Sequence, residues 1–172
     1  MKPARILGHH VHPMLIVFPL GLLAISVLFD AFDLARHDMT FAAIAYWNVV
    51  AGVIGGLVAA VFGLWDWLGV PRGTRARAIG AWHGVVNVCV VALFAITAFV
   101  RHGDPAHQAT RATLALSWIA LALALVGGWL GGELVERLGI GVDRGAEPNA
   151  PNSIAMPESR WHAGGMQGRP TR

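Results

Sequence analysis

Charge is what this chain has least of. Only 13% of its 172 residues are charged, against about 25% in a typical soluble domain. It holds a single cysteine, Cys89, which excludes an intrachain disulfide and any thiolate metal cluster. The Gly-x-x-x-x-Gly-Lys phosphate loop, the Gly-x-Ser-x-Gly elbow and the His-Glu-x-x-His zinc motif are all missing, so the common soluble-enzyme frameworks find no support. Ser26 and Ser117 have no base in register for nucleophilic work.

Apolar residues take the place of charge: 55% of the chain is hydrophobic and the mean hydropathy is +0.56. The few charges sit in short clusters between long apolar runs, the pattern of a bilayer-spanning chain. The pI near 10.0 does not imply nucleic acid, because the basic residues flank apolar segments, where they serve topology and anionic headgroups. The expected partner is the lipid bilayer.

Crossing about 30 Å of hydrocarbon at 1.5 Å per residue takes about 20 apolar residues. Four segments qualify, over about 13–32, 41–68, 79–100 and 112–135. In lipid they must be helical, since an open sheet edge would strand backbone polar groups. The expected fold is therefore all-α, a polytopic four-helix transmembrane bundle over 1–144. A Pro-, Asn-, Gly- and Ser-rich tail over 145–172 reads as disordered. The first apolar run is longer than a signal-peptide core and lacks a small-x-small site, so a retained helix is expected.

Lys2, Arg5, Arg72, Arg75, Arg77, Arg137 and Arg144 fall on one side of such a bundle, and Arg36, Arg101 and Arg111 on the other. Seven against three places both termini in the cytoplasm by the positive-inside rule, in a cell (inner) membrane. The connections are short: Asp33–Thr40, Gly69–Ala78 and Arg101–Arg111.

Small residues supply the packing signals. Gly52, Gly56, Ala59 and Gly63 form one seam along the second span, and Gly127, Gly128, Gly131 and Gly132 offer a second surface on the fourth, with Gly128 and Gly132 taken as its packing positions. Pro19 is expected to kink the first span.

Ionisable residues inside spans usually face the bundle interior. His12 opens the first span, Asp66 ends the second, His83 opens the third with Asn87 one turn later on the same face, and Glu133 lies near the end of the fourth. All share one depth. Two imidazoles and the Asp66 carboxylate suit a divalent transition metal; two facing histidines suit both axial positions of a haem b, with Asn87 beside them. Trp65, Trp67 and Trp82 lie at the same level. Structural readings stand beside these. The histidines can fix helix register, Asp66 can pair with a loop arginine such as Arg72, and Glu133 can pair with Arg137 four residues on. A second polar level, Asp30 and Asn48, lies 18 residues from His12 and Asp66 respectively; nothing polar joins the two levels. His9, His10, His37, His102, His107 and His162 are given no role.

The segments HPMLIVFPLGLL (His12–Leu23), FD (Phe29–Asp30), GVIGGLVAAVFGLWDW (Gly52–Trp67), TRARAIGAWHGVVN (Thr74–Asn87) and GGELVERLGIGV (Gly131–Val142) together resemble a bacterial family of small membrane proteins, domain of unknown function 2231. The resemblance covers about residues 9–145. It implies a four-helix membrane fold with His12, Asp66, His83 and Asn87 as signature positions, and no established activity. Glu136 stands where the family usually carries tyrosine. Some relatives look fused to Rieske-type iron–sulfur domains, which implies membrane electron transfer and a membrane redox partner; the cysteine and histidine pattern of such a domain is missing here. The expected function is a haem- or metal-binding redox component. The alternatives are a non-catalytic scaffold or partner-binding subunit whose polar cluster fixes packing, and a small transporter.

Overall fold

The apolar runs fold into helices longer than the hydropathy pattern alone marks out, because capping side chains extend them past the hydrocarbon. The computed structural model describes residues 4–36, 38–143 and 145–154. Lys2, His37, Arg144, His162 and the tail beyond Ile154 lie outside the described residues. A two-stranded hairpin comes first, β1 (Arg5–Ile6) and β2 (His9–His10). Its two-residue loop takes positive φ at both Leu7 (49°) and Gly8 (87°), the conformation that matches the twist of paired strands.

Four apolar spans follow. The first is α1 (Val11–Leu15) and α2 (Val17–Arg36), interrupted at Ile16. Pro19 has no N–H for the carbonyl of Leu15, four residues back, so the ladder breaks there. The second is α3 (Met39–Gly69), the third α4 (Arg75–His102) and the fourth α5 (Arg111–Gly132), which runs into a single π-helical turn at Glu133–Arg137. Asp38, Thr74 and Thr110 cap α3, α4 and α5, each side chain accepting a backbone N–H of the first turn. These caps make the connections shorter than expected. Arg101, read from sequence as a loop residue, lies in the last turn of α4. The described part of the tail, Gly145–Ile154, holds turns and neither helix nor strand.

The α3 glycines allow close helix approach. A Cβ at Gly52 would lie 2.6 Å from Leu23 Cδ2, and one at Gly56 2.9 Å from Val91 Cγ2. Pro19 is buried and packs on Gly55, where a Cβ would stand 3.4 Å away. In α5 the close approach falls on Gly127 and Gly131. Gly128 and Gly132, the expected packing pair, face open space where a Cβ would meet nothing. The reason is helical phase: one residue is 100° of rotation, enough to turn an adjacent glycine off the seam.

The two halves of the bundle repeat one another. Every buried residue of α4 has a buried counterpart in α2: Val90, Phe94, Thr97 and Arg101 answer to Pro19, Leu23, Ser26 and Asp30, each 71 positions earlier. Every buried residue of α5 likewise has one in α3: Thr113, Ser117, Ala120 and Gly127 answer to Ala45, Val49, Gly52 and Ala59, 68 positions earlier. The corresponding spans run in the same direction through the bilayer. The repeat thus relates two helical hairpins, side by side, about an axis along the membrane normal. The core between them is apolar: Leu23, Val27, Val49, Val90, Phe94 and Ala120.

Candidate functional site

His12 and His83 occupy equivalent places in the two halves, near one end of the bundle. Their ring centres stand 6.4 Å apart, with the planes 89° to each other. Each imidazole is anchored to the hairpin partner of its own helix. Nδ1 of His12 bonds the Ala59 carbonyl of α3 at 2.9 Å, and Nδ1 of His83 bonds the Gly127 carbonyl of α5 at 2.9 Å. A carbonyl oxygen only accepts, so both rings carry a proton on Nδ1, and in the neutral imidazole this leaves the in-plane lone pair on Nε2. One turn beyond each carbonyl a glycine makes room for the ring. A Cβ at Gly63 would lie 2.8 Å from His12 Cε1, and one at Gly131 3.2 Å from His83 Cε1. One device, built from a histidine, a helix carbonyl and a glycine, therefore appears twice.

Asn87 breaks the equivalence; its counterpart is Ile16. The Asn87 amide donates to the His83 carbonyl at 2.8 Å. The same Nδ2 stands 3.4 Å from His83 Nδ1 and 3.3 Å from Nε2, almost equidistant from both, so the amide lies over the ring face. A Cβ at Gly127 would stand 3.0 Å from both polar atoms of that amide. Asn87 is therefore wedged between the imidazole and the helix that anchors it.

Asp66 does not join the histidine pair. It points to the N-terminal hairpin, where its Oδ2 lies 3.6 Å from His10 Nδ1. Arg5 donates from Nη2 to His10 Nε2 at 3.2 Å, which places the His10 proton on Nδ1, toward Asp66. Nη1 of Arg5 reaches Asp143 at 3.6 Å. The expected metal set of His12, Asp66 and His83 is thereby corrected: among the described residues no three His, Cys, Asp or Glu side chains are grouped to hold an ion. Arg72 is not the partner of Asp66, and Glu133 pairs with Arg75 rather than with Arg137. Both corrections have one cause. Chain segments distant in sequence converge at this end and take the place of partners close by along the chain. Glu136 is exposed.

Of the three tryptophans at this level, Trp67 closes the α3–α4 turn. It donates from Nε1 to the Arg77 carbonyl at 3.0 Å and lies 3.9 Å under the Arg77 guanidinium. Arg77 in turn donates to the carbonyls of Trp67, Leu68 and Val70 at the end of α3. Trp65 and Trp82 are 48% and 65% exposed.

The opposite end holds an ion pair that hydropathy reading placed wrongly. Asp30 and Arg101, each with a side chain 1% exposed, meet in a two-pronged bond of 2.9 and 3.0 Å. Arg101 also donates to the Ala42 carbonyl and, from Nε, to the His107 carbonyl. Asn48, the other residue of this polar level, donates to the Ile44 carbonyl of its own helix. Tyr46 stacks on His107 with ring centres 3.9 Å apart and bonds His102 Nδ1 at 3.1 Å, so His102 at the end of α4 and His107 in the loop after it both help to cap this end. The signal that could have found the ion pair is its spacing: His12 to Asp30 and His83 to Arg101 are both 18 residues.

A bundle of four apolar spans with paired intramembrane histidines defines an integral membrane protein. Residues 8–144 match the family model described as predicted membrane protein, DUF2231, and the chain belongs to that family. No curated protein and no solved structure matches it.

Proposed function

We propose that this protein is a membrane redox component that holds one haem b between His12 and His83. The observation that carries this reading is the matched state of the two rings: both donate Nδ1–H to a helix carbonyl, and both keep Nε2 for a ligand. Ligating histidines are commonly held in this way, since the second bond fixes the tautomer and raises the basicity of the free nitrogen. Two metal–imidazole bonds of about 2.0 Å, with about 1 Å from each nitrogen to its ring centre, call for ring centres about 6 Å apart. The observed 6.4 Å agrees. Two protein donors without a third suit haem, whose macrocycle supplies the other four, better than a bare divalent ion. The two-fold relation of the halves also presents equivalent donors to the two faces of a planar group.

When bound, the haem would supply one-electron chemistry; the chain's own part is to fix the axial nitrogens and shield them within an apolar bundle. The excess of basic residues at this end of the bundle supports a site near the cytoplasmic face. Pairing with Asp30 neutralises Arg101, one of the three charges on the far side. The transporter reading finds less support, because an apolar core and a buried ion pair fill the axis beyond the histidines.

The test is the visible spectrum of protein purified from haem-replete cells. A Soret band that shifts on reduction, lost in both His12→Ala and His83→Ala, supports the proposal. A colourless, metal-free preparation that remains folded would leave the histidines as register-fixing residues of a scaffold.

A further inference from the structure

The two imidazole planes are perpendicular, and among the described residues an amide is recorded against His83 alone. His12 is held by its Nδ1 bond and the surface of Gly63. His83 has the matching bond and, in addition, the Asn87 amide against its face, itself fixed by a 2.8 Å bond to the His83 carbonyl and by contact with Gly127. At the equivalent place in the first half, Ile16 offers no hydrogen bond. This polar departure from the repeat thus acts on the rotation of a single imidazole.

We propose that Asn87 is a positioning residue that sets the angle between the two imidazoles, and with it the electronic state of a haem iron held between them. This rests on the axial-ligand reading above. Imidazoles donate π density to the iron d orbitals in a direction set by the ring plane. When the planes are perpendicular, two of those orbitals are raised equally and stay nearly degenerate. In the low-spin ferric state this gives a strongly anisotropic spectrum with a large highest g value. As the planes turn toward parallel, the degeneracy is lifted and that g value falls. Side chains outside the ligand set are an established lever on such centres.

Two variants test this in the whole protein. Asn87→Ile copies the first half of the repeat, and Asn87→Gln keeps an amide. Electron paramagnetic resonance of the ferric wild type should show one low-spin species with a large highest g value. Asn87→Ile should keep its Soret band while that g value moves down or splits into several, and Asn87→Gln should lie closer to wild type. Unchanged g values in Asn87→Ile overturn the proposal. Loss of haem from both variants overturns it as well, since Asn87 would then hold the group rather than orient His83. A wild type without a Soret band is a different result, which removes the haem reading itself.

Discussion

Asp30 and Arg101 occupy the same place in two halves of one repeat and carry opposite charges. Identical side chains near a two-fold axis face each other, so a charged residue there would meet its like. Divergence to a carboxylate and a guanidinium turns that repulsion into a two-pronged bond between the halves, with both side chains 1% exposed. Removing one partner strands the other charge in the bundle, which costs about 3–5 kcal/mol. Asp30→Ala and Arg101→Ala should each destabilise the detergent-solubilised protein by that order. Asp30→Leu with Arg101→Leu should cost less than either single change. Chemical unfolding of the three variants checks this, and a double variant worse than both singles would contradict it.

The glycines that seat the histidines should be far less tolerant than their neighbours. Gly63→Ala drives a methyl to 2.8 Å from the His12 ring and Gly131→Ala one to 3.2 Å from His83. Overpacking of this kind costs about 1–3 kcal/mol, with Gly63→Ala the more severe. Gly128→Ala and Gly132→Ala meet open space and should stay within about 0.5 kcal/mol of wild type. Thermal unfolding in one detergent ranks all four.

His83 should separate folding from ligand binding. The Nδ2 of an asparagine sits near the position of Nδ1, so His83→Asn can keep the bond to the Gly127 carbonyl, whereas His83→Ala loses bond and volume. The alanine variant should be destabilised by about 1–3 kcal/mol and the asparagine variant by clearly less. Neither presents an Nε2, so both should lack the haem absorption.

A pH effect falls in the α4–α5 loop, outside the spans. The backbone N–H groups of Gln108 and Ala106, bonded to Asp104, hold its carboxyl below the ordinary 3.8, assisted by His107 and Arg101 nearby. A lowered carboxylate stabilises the folded loop fully above 3.8 and loses that effect as pH falls through its own lower value. The amide resonances of Ala106 and Gln108 should therefore titrate together with a midpoint below 3.8. In Asp104→Asn that titration should vanish.

Much of the architecture was legible in the sequence. Length and hydropathy mark the four spans, because a bilayer demands long apolar helices whatever they pack against. His12, His83 and the Gly52–Gly56–Gly63 seam were visible for the same reason: polar or minimal side chains stand out in an apolar run. Less legible were Asp66, which turns to His10 rather than to the other histidines, and Arg101, which hydropathy places in a loop although it is buried. Gly128 and Gly132 are indistinguishable in composition from Gly127 and Gly131, and only helical phase separates them.

The sequence by itself determined that this chain lives in a bilayer, how many times it crosses and which residues are costly to leave unpartnered there. Those properties depend on local composition and on the solvent. Tertiary structure decided the pairings: His12 with Ala59, His83 with Gly127, Asp30 with Arg101, Asp66 with His10. Each joins residues from different helices or from a helix and the N-terminal hairpin. Such bonds depend on which faces meet, and facing is set by the packing of whole helices at small residues rather than by any neighbour along the chain. That packing also revealed the repeat, whose halves share burial at matching positions far more than they share residues.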